Sequence, residues 1–121
     1  MDNEPVIDFD EALGRTMGDL DFLKMMLEEL QKSIPEFMTR LARDHENSDM
    51  GALDKDAHQF KGAAANLGVK GVAAAAYKLE RIGKSGNPHG SEQAIEELNQ
   101  AVEVFCRHMN QLDWESIGTG R

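Results

Sequence analysis

The apolar residues Leu23, Met26, Leu27, Leu30, Ile34, Phe37 and Leu41 hold one three-and-four register over several turns and pass through Pro35 without losing phase. Such spacing is the signature of an amphipathic helix. A true break at the proline would have disturbed the register, so the stretch from about Asp19 to His45 is expected to be one helix, kinked at Pro35. The pattern returns in Leu53, Ala57, Phe60, Ala64 and Leu67, with Asp49 as a candidate N-cap and Gly68 placed to end the helix. A turn at Gly68-Val69-Lys70 then leads to a stripe of Val72, Ala75, Leu79 and Ile82, ending near Gly83. After the turn cluster Lys84-Ser85-Gly86-Asn87-Pro88-His89-Gly90, the residues Ile95, Leu98, Val102, Phe105, Met109 and Leu112 predict a last helix over about Ser91 to Leu112. A short first helix is expected over Asp8-Phe9-Asp10-Glu11-Ala12-Leu13, and nothing reads as a strand. The predicted fold is all-α: an antiparallel up-down four-helix bundle over residues 6–114 with a short additional N-terminal helix, between flexible tails at 1–5 and 115–121.

A chain of 121 residues can bury one core without staples. Its single cysteine, Cys106, excludes an intramolecular disulfide and is consistent with a reducing compartment. With 22 acidic and 13 basic residues the net charge is -9, which argues against nucleic acid or an anionic membrane as the main partner. No signal-peptide pattern or membrane-length apolar run is present, so a cytoplasmic location is expected. No second apolar seam marks the long helices, so a monomer is expected. The seven methionines read as core and gap-filling residues.

His58, Lys61, Gly62 and Ala65 share a face beside the buried stripe of their helix. An imidazole at the edge of the core, with a cation and a bare glycine next to it, suits an anionic phosphoryl group. Gly62 costs its helix about 1 kcal/mol relative to alanine. Close packing against another helix and clearance over His58 would each account for it. His45, His89 and His108 have no comparable setting. No Glu-x-x-His pairs face one another as a metal-binding bundle would need, so no metal site is expected.

The run Ala57-His58-Gln59-Phe60-Lys61-Gly62-Ala63-Ala64-Ala65-Asn66-Leu67-Gly68 resembles the histidine-containing phosphotransfer (HPt) domains of multistep two-component phosphorelays. It has a histidine, a lysine and a glycine at the third and fourth following positions, then small residues, an apolar residue and a glycine. Phe60 stands where leucine is common, and Ala63 where serine or alanine is usual. The likeness continues into Leu79-Glu80-Arg81-Ile82-Gly83-Lys84-Ser85-Gly86 and covers nearly the whole chain. It implies that His58 accepts a phosphoryl group from a receiver-domain phospho-aspartate and passes it to another receiver. It further implies that Glu80 orients the imidazole, that Lys61 and Lys84 offset phosphoryl charge, and that Gly62 leaves room for the partner.

By the same resemblance the partners are response-regulator receiver domains and a hybrid sensor histidine kinase, and Mg²⁺ belongs to the receiver, with no cofactor in this chain. The chain has no Gly-rich nucleotide loop, which makes it a phosphocarrier and not a kinase. The same chemistry would serve a free-standing carrier or a module of a larger sensor kinase. A non-catalytic adaptor that binds a receiver without being phosphorylated is the alternative. Receiver contacts in this family surround the histidine, which makes Ile7, Phe9, Leu13, Phe22 and Met25 candidates for docking.

Overall fold

Asp8, Asp19 and Asp49 each accept a hydrogen bond from the backbone N–H three residues on, at 3.0 to 3.1 Å, and so start the first three helices. The structure, a computed structural model, describes residues 5–119. Its helices are α1 (Phe9–Arg15), α2 (Leu20–Glu46), α3 (Met50–Asn66), α4 (Lys70–Ser85), α5 (Ser91–Gln111) and α6 (Trp114–Thr119), and no strand occurs among the described residues. The expected four-helix bundle is made by α2 to α5: α3 lies between α2 and α4, and α5 closes the ring against α4 and α2.

α2 runs unbroken through Pro35. Pro35 is exposed, so the Gln31 carbonyl that loses its N–H partner there is on the side where water can reach it. The stripe behind it packs as the register requires, with Leu23, Leu27, Leu30, Ile34 and Leu41 buried, Phe37 half-buried and Met26 at the exposed margin. Phe37 stacks on Phe60 of α3, with ring centroids 4.5 Å apart and planes 6° from parallel.

α3 ends as expected at Leu67, and Gly68 adopts φ +72°. A side chain there would be strained, and its Cβ would stand 2.6 Å from the Asp8 carbonyl oxygen. The close approach serves a latch: Asp8 N–H donates to Gly68 O at 2.8 Å. That bond draws the N-terminal segment over the end of the bundle and buries Ile7, while Leu13 is buried from α1. Both are core residues, which corrects their reading as docking candidates. Phe9 is half-buried, edge-on to Trp114, and only Phe22 and Met25 of that set are exposed.

Two further expectations change. The buried stripe of α4 is Val72, Ala76, Leu79, Glu80 and Gly83, with Ala75 and Ile82 only half-buried. Small residues let α4 approach α3 so closely that its buried face is rotated from the one that bulk alone indicates. The chain beyond Trp114, read as a tail, carries the short helix α6, begun by Asp113 accepting from Ser116 N–H at 3.2 Å. Residues 1–4 and 120–121 of the expected tails lie outside the described residues.

Candidate functional site

His58 lies in the middle of α3 with 63% of its side chain exposed, and Glu80, on α4, with 5%. The connection at Leu67–Val69 is only three residues long, so α3 and α4 are forced side by side and the two side chains meet. His58 Nδ1 is 2.9 Å from Glu80 Oε2. Lys61 Nζ forms an ion pair with Glu80 Oε1 at 2.7 Å. The Lys61 ammonium holds the Glu80 carboxyl below its usual range against the opposing effect of burial, and His58 acts in the same direction as Lys61. An ionised carboxylate only accepts, so Nδ1 carries the proton and, in the neutral ring, Nε2 keeps an unprotonated lone pair.

Lys84 is a further step along this chain of charges. Its Nζ is 3.7 Å from Glu80 Oε2 and 3.2 Å from Asp54 Oδ1, with Asp54 lying one turn before His58 on α3. The Asp54 carboxylate holds the Lys84 ammonium above its usual range, with Glu80 adding less. Tyr77, exposed on α4, offers its ring to two cations, Lys61 Nζ at 5.2 Å and the Arg81 guanidinium at 5.9 Å from its centroid.

Gly62 is half-exposed, and a Cβ built on it would meet no heavy atom within 4 Å. Close packing against another helix therefore does not explain this glycine, and open space beside His58 remains. A methyl group should fit there and favour the helix. Gly62→Ala is expected to stabilise the fold by about 0.5 to 1 kcal/mol in urea unfolding; a loss of stability would show that the glycine is packed after all.

The five residues singled out from sequence, His58, Lys61, Gly62, Glu80 and Lys84, thus gather on one flank formed by α3 and α4. Two contributors were missed. Asp54 carries a signal in its four-residue offset from His58, which places both on one face. Gly83, a second helix-interior glycine, is where the helices touch: a Cβ there would stand 2.5 Å from Asp54 N. His45 has a structural partner instead, its Nδ1 lying 2.7 Å from the hydroxyl of buried Ser91. Among the described residues no cluster of three His, Cys, Asp or Glu side chains is placed to hold a metal ion, and no helix is long and apolar enough to cross a membrane.

Comparison with known proteins adds a family and a fold. The sequence model of the Hpt domain matches residues 21–108, a span that holds all of the residues just described from Asp54 to Lys84. The crystal structure of histidine-containing phosphotransfer protein B (HptB) from Pseudomonas aeruginosa PAO1 superposes with a TM-score of 0.78 at 20% identity, covering 92% of this chain and 100% of that one. No curated protein sequence matches.

Proposed function

The chain belongs to the Hpt domain family, whose members carry phosphoryl groups in phosphorelays, and from that premise we propose that His58 is the phosphoacceptor. One observation carries the assignment: an exposed imidazole whose Nδ1–H is held by a buried, ionised carboxylate, leaving Nε2 as the nucleophile. A receiver domain bearing a phospho-aspartate docks over the open side of His58 at Gly62. Nε2 attacks phosphorus in line, the N–P bond forms as the acyl phosphate P–O bond breaks, and the aspartate leaves as a carboxylate. The reverse sequence delivers the group to a second receiver.

Each neighbour has a part in this scheme. Glu80 keeps the proton on Nδ1 and offsets the positive charge that the ring gains when Nε2 bonds phosphorus. Lys61, three residues from His58, offsets phosphoryl charge as a point cation, and Lys84 adds to the positive potential. Mg²⁺ belongs to the receiver, and the chain itself works without a cofactor because phosphoryl transfer depends mainly on positioning and charge neutralisation. A monomer acting in the cytoplasm, with receiver domains and a hybrid histidine kinase as its partners and no contact with nucleic acid, completes the reading.

The test is a transfer assay with phosphorylated receiver domains and Mg²⁺, run on the wild type and on His58→Gln. Acid-labile, alkali-stable phosphate is expected on the wild type, with essentially none on the variant. Absence of label on both, from a receiver that demonstrably binds, would replace the carrier with a non-catalytic adaptor.

A further inference from the structure

Among the described residues, Lys84 is the cation of the cluster held by an acidic residue outside the Glu80 centre. Both Asp54 oxygens face its ammonium, Oδ1 at 3.2 Å and Oδ2 at 3.4 Å, whereas the nearest oxygen of Glu80 is at 3.7 Å. That Glu80 oxygen is Oε2, the acceptor for Nδ1. Lys84 is therefore held on the Nδ1 side of the ring, and Nε2 faces the other way. The anchor itself is rigidly placed. Asp54 sits on α3 where Gly83, the residue before Lys84, brings the α4 backbone so near that a Cβ would overlap Asp54 N, Cα and Cβ at 2.5, 2.7 and 2.9 Å. Lys84 itself is 60% exposed and Asp54 28%. Among the described residues, the contacts of the Lys84 ammonium are those to Asp54 and Glu80.

We propose that Asp54 is a positioning residue that tethers Lys84 on the Nδ1 side of His58 and so limits how strongly the phosphoryl group is held. This inference rests on the reading of His58 as phosphoacceptor. With Asp54 in place, much of the Lys84 charge is spent on a carboxylate one helical turn from His58. Without it, the ammonium is free to swing toward a dianion on Nε2, and one negative charge near that dianion is gone. Both changes raise the positive potential at the phosphoryl group. A carrier has to release its group as readily as it takes it, and the tether keeps His58 from becoming a trap.

The phosphoryl group itself reports the potential, through its own proton affinity. Wild type, Asp54→Asn, Asp54→Glu, Lys84→Gln and the double variant D54N/K84Q are loaded with potassium phosphoramidate. In that step the Nε2–P bond forms, the P–N bond of the donor breaks and ammonia leaves. The ³¹P resonance is then titrated, with Lys61, Glu80 and Arg81 unchanged in all five chains. Asp54→Asn is expected to lower the midpoint by roughly half a pH unit, about threefold in proton affinity. Asp54→Glu should stay near the wild type, and in the Lys84→Gln background the Asp54→Asn shift should fall to less than half. An unmoved or raised midpoint in Asp54→Asn overturns the proposal, as does an equal shift in both backgrounds, which would mean that Asp54 acts by its own charge alone.

A second measurement needs no phosphate. The ¹⁵N-labelled Lys84 ammonium of the unphosphorylated wild type should give a resonance slowed in exchange by its ion pair and lost in Asp54→Asn; its absence from both overturns the tether. Failure of the wild type to load at His58 counts against the phosphoacceptor reading alone, and the ammonium signal still decides the tether.

Discussion

Gly83→Ala is expected to destabilise the bundle by a net value of about 2 kcal/mol and to slow phosphoryl transfer to His58 with it. The new methyl group would stand 2.5 Å from Asp54 N and 2.7 Å from Asp54 Cα. Those are backbone atoms inside α3, and they cannot step aside as the tip of a side chain can. The two helices must part instead, at a cost of about 3 kcal/mol for overpacking of this severity. The better helix propensity of alanine returns about 1 kcal/mol. In a domain of this size the net loss lowers the midpoint of thermal unfolding by several degrees, about 4 °C for each kcal/mol. Glu80 is one turn before Gly83, so the same displacement lengthens its 2.9 Å contact with His58. Calorimetry and the transfer assay on one preparation check both effects. A variant as stable as the wild type would show that α3 and α4 do not approach this closely. Opposite signs are thus expected for the same substitution at Gly62 and at Gly83.

Asp44→Asn is expected to stabilise the fold at pH 8, on the order of 3 kcal/mol, and to do little below pH 4. Asp44 is buried at the α2 end of the α2–α3 junction, and its Oδ2 finds no donor among the described residues. Burial pushes its carboxyl up to about 7, and the facing Asp56 side chain, within hydrogen-bonding reach, adds to the rise. The unfolded chain releases this proton near 3.8 while the folded chain keeps it to about 7. Between those values folding takes up a proton, so this group's contribution to stability falls as pH rises and the full penalty stands above pH 7. An asparagine amide donates to Asp56 at any pH and removes that dependence. Glu80 works with the opposite sign: its carboxyl is held low in the folded state, so its stabilisation is present above the ordinary glutamate range and is lost as pH falls. Urea unfolding of both chains at pH 5 and pH 8 reads the difference. Equal stability gains at the two values would show that Asp44 is not the buried acid.

The elements that the sequence made legible are those in which one helix determines its own buried face. Leu23 to Leu41, Leu53 to Leu67 and Leu98 to Met109 keep a single period, and aspartates sit where their helices begin. For the same reason His58, Lys61 and Gly62 could be placed together, because offsets of three and four fix neighbours within a helix. The distance between two helices is not written in either of them. Glu80 stands outside the stripe of Val72, Ala75, Leu79 and Ile82 that the sequence indicates, yet it is buried, because α4, rich in alanine and glycine, sinks against α3 and carries the carboxylate inward. Gly83 gains its meaning only from that contact, and so does the pairing of Asp54 with Lys84. Asp44 is in phase with Leu41 three residues earlier, a polar residue in an apolar register, and this offset is the trace its burial left in the sequence. α6 is too short for periodicity to reveal, and the ring of Trp114 against Phe9 is a contact between the two ends of the described chain.

His58 stands on an open flank of the bundle: most of its side chain is exposed, and a Cβ on Gly62 would meet nothing within 4 Å. An open apolar pocket of about 250 Å³ lies elsewhere, lined by Pro5, Val6, Val69, Val72, Val104 and Phe105 among others. A side chain this open cannot by itself enclose a transition state or expel water from it. If His58 is the phosphoacceptor, the enclosing half of the reaction chamber has to arrive with each partner. On the reading of His58 as phosphoacceptor, a donor and an acceptor with the same hollow would take turns on one flank.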